Sequence, residues 1–223
     1  MSAHAGDCSV VIVDDHDLFS TTLMISLRER GIDARKLPVA RLTEFAAQRC
    51  PVEHGLVVLD QYLGKKASGE RTLGSDWVRR LRDNGWNVLM VSGSDNVAGI
   101  AASIAEGAIG TVPKSSSFEE LLRTIVPAAH GQPMLTEAER RQWVALHNDH
   151  EKRRRAREDR LGSLTPRERE VLELLADGHR ADVIAKKFVV SLATVRTQIR
   201  SIFTKLGVNS QLQAVAVLRG EEE

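Results

Sequence analysis

Two cysteines in 223 residues, Cys8 and Cys50, stand far apart with no second cysteine or histidine cluster beside either. That spacing argues against a disulfide framework or a zinc site and for small buried or idle thiols. No apolar run approaches the ~18 residues a membrane span needs, and no basic-then-apolar leader opens the chain; the expectation is a cytoplasmic protein with no membrane partner. Strong charge of one sign is missing too, the net being +1. The balance hides an asymmetry: residues 1–130 carry 14 basic against 16 acidic side chains, residues 161–220 carry 9 against 5. The second half is therefore the part suited to a polyanion.

What is present begins with Val10-Val11-Ile12-Val13, which ends in Asp14-Asp15, and Leu56-Val57-Val58-Leu59, which ends in Asp60. Short apolar runs are the mark of strands buried on both faces of a parallel sheet. Ligands sit at the carboxyl edge of such a sheet. Carboxylates gathered there repel by about 4 kcal/mol for a pair 4 Å apart at an effective dielectric near 20, so the pattern calls for a hard divalent cation, magnesium, which takes oxygen ligands. Trp86 to Val91 leads into Ser92, and Ala108 to Pro113 leads into Lys114. An acidic pair, a lone carboxylate, a hydroxyl and a lysine, each just past a strand, suit phosphoryl transfer to Asp60, with magnesium and Lys114 holding phosphate oxygens.

On these residues the first ~130 positions resemble the receiver domain of bacterial two-component response regulators. The resemblance implies that Asp14 and Asp15 are the acidic pair, Asp60 the phosphoacceptor, Ser92 the switch hydroxyl and Lys114 the lysine of the pocket. It also implies that the Tyr62 backbone carbonyl completes a metal shell with Asp14, Asp15 and Asp60, and that a histidine kinase is the phosphodonor. No organic cofactor is expected. Two departures stand out. Gln61-Tyr62-Leu63-Gly64-Lys65 replaces the usual continuation after the phosphoacceptor, and residues 65–72 delay the next helix; they read as a polar, mobile surface loop, from which Lys65, Lys66 or Arg71 would reach phosphate if the insertion has a role. Thr111 stands where the family commonly has an aromatic residue.

Helical patterns at residues 18–30, 41–49, 75–84, 97–106 and 117–129 separate five strand candidates, the order of an α/β, doubly wound, five-stranded parallel sheet of flavodoxin-like type. Ser117 caps the last helix, with acids in its first turn, and Pro127 should kink or stop it. Residues 131–160 read as a charged, solvated helical linker, with Trp143, Val144 and Leu146 as a short apolar face and a lesser DNA-backbone role open to the arginines of 153–160. Residues 161–223 read as a smaller all-α domain. Thr165, Pro166 and Glu168 form a capped helix start, a short second helix surrounds Ile184, and Ser191 caps a third.

A short helix joined tightly to a capped helix carrying Arg196, Thr197 and Arg200 is the pattern of a helix-turn-helix. Leu164-Thr165-Pro166-Arg167-Glu168-Arg169-Glu170-Val171-Leu172, Ile184-Ala185, Thr194-Val195 and Lys205-Leu206-Gly207-Val208 are similar to the DNA-binding domain of NarL/LuxR-type regulators. The resemblance implies base contacts from Arg196, Thr197 and Arg200, phosphate contacts from Lys186, Lys187 and Lys205, double-stranded DNA as partner, and a homodimer on DNA. Helical spacing places 196, 197 and 200 on one face, opposite Val195, Ile199, Ile202 and Phe203. Val189 falls at a turn position where the family often has glycine, and Gln211 where it often has arginine.

The expected protein is thus a transcriptional response regulator, not an enzyme, that binds promoters under control of Asp60. Two alternatives stay open: a receiver controlled by ligand, partner or dimerisation, and, more distantly, a haloacid-dehalogenase-type phosphatase built on Asp15-His16-Asp17 with Ser92 and Lys114. The phosphatase reading leaves Asp60 and the C-terminal domain without a role.

Overall fold

The computed structural model describes residues 9–65, 69, 71–93 and 96–221. Cys8 and Lys66 lie outside them. The chain divides into two compact units, Met1–His147 and Asn148–Glu223.

In the first unit, strands β1 (Ser9–Val13), β2 (Asp33–Lys36), β3 (Leu56–Asp60), β6 (Asn87–Ser92) and β7 (Gly110–Pro113) form one parallel sheet in the order β2-β1-β3-β6-β7. Side chains alternate across it, which explains the unbroken apolar runs. Val10, Ile12, Val58 and Leu89 face Leu23 and Leu27 of α1 (Asp17–Glu29) and Leu121 and Ile125 of α5 (Phe118–Ala129). Val11, Val13, Val57 and Met90 face Val78 and Leu81 of α3 (Ser75–Asp83) together with Trp86. Ser117 and Glu120 close a capping box at the start of α5, and the helix stops two residues after Pro127.

Two expectations need correction. The helix expected over 41–49 is a single turn, α2 (Leu42–Phe45), after a 3-10 turn at Val39–Arg41. After Phe45 the backbone tightens to three-residue turns, Ala47 N–H donating to Glu44 O at 3.3 Å and Gln48 N–H to Phe45 O at 2.9 Å, and the next carbonyls are met by distant side chains, Asn84 Nδ2 at Ala46 O and Trp86 Nε1 at Gln48 O. The flanks of the insertion at 65–72, expected as loose loop, pair as an antiparallel ribbon, β4 (Tyr62–Lys65) with β5 (Arg71–Leu73). Leu63 is buried in the core beside β3, and the Arg71 guanidinium lies 5.7 Å from the Tyr62 ring centroid. The ribbon closes at Gly74, whose N–H donates to Gln61 O at 3.0 Å. Glycine is required there, since a Cβ would sit 2.1 Å from the Asp60 carbonyl oxygen.

Helix α4 (Val97–Ala105) is capped by Asn96, which accepts from Gly99 N. Helix α6 (Glu137–Gly162) crosses the division between the units, inside the stretch read as linker. Near its start Arg140 donates to the carbonyls of Ile104 and Ala108, at the carboxyl end of α4. Near its end Arg160 donates to Leu206 O, and Arg154 is held by Glu151 and Glu158. Within the run 153–160, Arg154 and Arg160 are thus engaged inside the fold, while Arg153 and Arg155 are exposed.

The second unit packs α7 (Pro166–Ala176), α8 (Ala181–Phe188), α9 (Leu192–Leu206) and α10 (Gln211–Arg219) around Val171, Leu172, Ile184, Val195, Ile202 and Val217. The turn between α8 and α9 is made at Val189, in the left-handed region at φ 55° and ψ 44°. A β-branched residue there costs roughly 1–2 kcal/mol. With its surface 91% exposed, the side chain has little packing to lose. Val189→Gly should therefore raise the stability of this unit by about 0.5–1 kcal/mol, glycine's own entropic cost having been subtracted. A chemical denaturation midpoint that falls instead would contradict this account of the turn.

Candidate functional site

The carboxyl ends of β1, β3 and β7 deliver Asp14, Asp60 and Lys114 to one point. Lys114 Nζ lies 2.7 Å from Asp60 Oδ2 and 2.7 Å from Asp14 Oδ2, with the two carboxylate side chains only 3% and 2% exposed. Asp14 Oδ2 is buried and, apart from that ionic contact, accepts no hydrogen bond. Asp15 sits at the rim, and Ser92 is buried at the end of β6, where Asp60 and Val91 are register partners. The Tyr62 N–H donates to Asp60 Oδ1 at 3.3 Å, which holds the start of the ribbon beside the carboxylate. Lys65 ends β4, exposed, and Arg71 is stacked on Tyr62.

Burial pushes the Asp60 carboxyl up to about 6; the hydrogen bond from Lys114 opposes the shift, and the charge of Asp14 adds to it. Burial also works against the Lys114 charge, but the two carboxylates prevail and hold its pKa above the ordinary lysine value. A carboxyl raised from 3.8 to about 6 gives stability that is complete below pH 3.8 and lost as pH rises through 6. In metal-free buffer at pH 7.5, Asp60→Asn should therefore stabilise the protein by about 1–2 kcal/mol, and the gain should vanish below about pH 4. Thermal denaturation across that range tests it, and a destabilised variant at pH 7.5 would contradict it.

Ligand atoms of Asp14, Asp15, His16 and Asp60 all lie within 4.8 Å of one another. Three carboxylates, among them Asp14 with a buried Oδ2 that only Lys114 meets, match the oxygen donors a hard divalent cation takes. His16 is the member that sequence reasoning missed as part of this pocket. Its Nδ1 lies 2.8 Å from Asp15 Oδ1, 3.2 Å from Asp14 Oδ1 and 3.5 Å from Lys114 Nζ. Its place immediately after the acidic pair was the available signal. Asp17, by contrast, points away, exposed and paired with Lys36.

In the second unit, Arg196, Thr197 and Arg200 are exposed on α9, and Lys186 and Lys187 on the last turn of α8. The two arginines and these two lysines hold no ion pair among the described residues. Lys205 stands apart: its Nζ lies 2.7 Å from Glu168 Oε2. Glu168, only 8% exposed, also accepts from Ser201 Oγ at 2.6 Å and from Thr165 N at 2.7 Å, so it ties α7 to α9. Gln211 Nε2 donates to Leu175 O.

Burial works to raise the Glu168 pKa, yet Lys205, Ser201 and Thr165 together hold it down at about 2, from an ordinary 4.5. A depressed carboxyl contributes stability that is present above pH 4.5 and lost as pH falls through 2. Glu168→Gln keeps the acceptor and loses the charge, so it should lower stability by about 1–2 kcal/mol at neutral pH and flatten the decline in that acid window. An unaltered acid limb of the stability curve would count against the ion pair.

The family described as "Bacterial regulatory proteins, luxR family" matches residues 162–218. The chain is similar to a nitrate/nitrite response regulator protein homolog from Haemophilus influenzae, with 31% identity over 93% of this chain and 94% of that protein. It is also similar to the probable transcriptional regulatory protein SgaR from Hyphomicrobium methylovorum, 31% identical, over 65% of this chain and 63% of that one. Among solved structures, RcsB from Salmonella enterica serovar Typhimurium, bound to promoter rprA in the presence of a phosphomimetic, matches 97% of this chain and 100% of its own at 20% identity and a TM-score of 0.47.

Proposed function

The chain belongs to the NarL/LuxR-type two-component response regulators and is a DNA-binding transcriptional regulator; from that premise we propose that phosphorylation of Asp60 controls its binding to promoters. The observation that carries the proposal is Lys114 Nζ at 2.7 Å from both Asp14 and Asp60, at the carboxyl edge of the sheet. In the transfer, an Asp60 carboxylate oxygen attacks the phosphorus of a phosphohistidine on a kinase; the new P–O bond forms as the P–N bond breaks, and the donor imidazole leaves. A pKa of about 6 leaves Asp60 ionised and nucleophilic at neutral pH. Lys114, already paired with the acceptor oxygen, is placed to hold a phosphoryl oxygen, and Ser92 at the end of β6 to donate to another.

Asp14, Asp15 and Asp60, with the Tyr62 carbonyl, would hold magnesium. When bound, the ion neutralises the charge that builds up on the transferred phosphoryl oxygens. The chain's own residues orient the acceptor: the Tyr62 N–H and Lys114 each bond one oxygen of Asp60. DNA would be read by Arg196, Thr197 and Arg200, with Lys186 and Lys187 on phosphates, in a homodimer. The working place is the cytoplasm; no helix among the described residues is long and apolar enough to cross a membrane.

Treatment with a small phosphodonor and magnesium should add one acyl phosphate to the wild type and none to Asp60→Asn. Unchanged intact mass after treatment, with metal bound, would favour the second reading, in which a ligand, partner or dimerisation controls the receiver. The observation that favours that reading is the ribbon β4–β5, which rises directly from Gln61 beside the acceptor. Asp17, the acid/base that the phosphatase reading would need, is turned out to Lys36, which weighs against that reading. Turnover of an aryl phosphate should be negligible.

A further inference from the structure

The residue after the acceptor is a glutamine, and it is buried: Gln61 is 3% exposed. Its backbone is fixed at both ends, the N–H donating to Val91 O at 2.9 Å and the carbonyl accepting from Gly74 N at 3.0 Å. The side chain reaches α4. Gln61 Oε1 lies 3.4 Å from Ser103 Oγ, and the amide nitrogen abuts Gly99, where a Cβ would come within 3.4 Å of it. Ser103 is fully buried, and its Oγ also lies 2.9 Å from the Gly99 carbonyl, one turn back.

A serine hydroxyl has one proton to donate. Ser103 therefore serves Gly99 or Gln61 but not both at full strength, and the 3.4 Å distance marks the Gln61 bond as the weaker in this state. Two acceptors, the Gly99 carbonyl and Gln61 Oε1, compete for that one proton, so the buried hydroxyl has two hydrogen-bonded arrangements open to it. Drawing Gln61 toward Ser103 would favour the second of them. One partner is covalently next to Asp60 and the other lies in the middle of α4. No purely apolar side chain at 61 provides such a link, and an unsatisfied buried amide is costly enough to force a choice.

We propose that Gln61 is a positioning residue that couples the phosphoacceptor to α4 through Ser103. The inference rests on the reading of Asp60 as the phosphoacceptor. Phosphorylation draws the end of β3 toward the hydroxyl and switches Ser103 from Gly99 to Gln61, tightening α4 against the sheet.

The test uses full-length wild type, Gln61→Met, Ser103→Ala and the double variant, each with and without a small phosphodonor and magnesium. Three quantities are read: phosphate on Asp60, affinity for a selected duplex, and hydrogen exchange of the α4 amides. All four proteins should take up phosphate at rates within about twofold, because Gln61 does not touch the transferred group. In the wild type, donor should slow α4 exchange by about tenfold and raise DNA affinity by about tenfold or more. In each variant both responses should shrink to less than about twofold, and the double variant should match the singles, as members of one linkage do. Ser103→Ala, a small truncation, keeps the test valid if Gln61→Met folds poorly. Variants that take up phosphate and still show the full response overturn the coupling and leave the Asp60 reading intact. A wild type that takes up no phosphate overturns that reading and the coupling with it.

Discussion

Asp60→Asn should bind its operator with an affinity that phosphodonor does not alter, whereas the wild type should gain roughly 5–150-fold, the range of coupling between two sites in one protein. The effect is electrostatic. In the resting pocket Asp60, Asp14 and Lys114 form a closed network in which Lys114 is shared by two carboxylates. A phosphoryl group replaces one buried negative charge by nearly two, with three acceptor oxygens. Lys114 is drawn to it, and the hydroxyl of Ser92 gains an acceptor. The neutral amide introduced by Asp60→Asn has no nucleophilic oxygen, so the network keeps its resting arrangement. Fluorescence anisotropy with a labelled duplex reads the effect directly. A variant that still responds to the donor would move the acceptor site elsewhere.

Arg196→Ala should weaken binding to the specific site by about 1–3 kcal/mol, roughly 5–150-fold, and relax the base preference at one position of each half-site. A guanidinium exposed on α9, with no ion pair among the described residues, can reach guanine O6 and N7 together. Arg200→Ala should do the same at a neighbouring position. Lys186→Ala or Lys187→Ala should instead weaken binding to all sequences alike and reduce the slope of log affinity against log salt by about one. Lys205 tests the distinction from the other side. Held by Glu168, it should show a stability loss with little change in salt slope, in contrast to the phosphate role its charge implies. Uniform loss across sequences for Arg196→Ala would displace α9 as the reading helix.

The strands and pocket were legible because parallel-sheet strands are apolar on both faces, and because their ends carry chemistry in a fixed order. Val10–Val13 and Leu56–Leu59 needed no tertiary information to be recognised, nor did the box of Thr165 and Glu168 that opens α7. What was not legible depended on partners distant in sequence. The stretch 41–49 has apolar spacing at Leu42, Phe45 and Ala46, but its backbone tightens after Phe45 and is tied down by Asn84 and Trp86, some forty residues on. The insertion after Gln61 has polar composition, and composition does not reveal that Tyr62 and Leu73 pair across it. Lys205 reads as a free cation until Glu168 and Ser201 are seen beside it. The places of His16 and Gln61 were not legible for a related reason: each adjoins a recognised carboxylate, and its surroundings depend on where its side chain turns.

The measurement closest to the central claim is a selection from randomised duplexes with the full-length protein, run with and without phosphodonor and magnesium, beside Asp60→Asn. Paired half-sites should emerge whose enrichment rises with donor in the wild type and does not change in the variant. A motif recovered equally with and without donor would leave DNA recognition standing and contradict its control by Asp60; the absence of any motif would contradict recognition through α9.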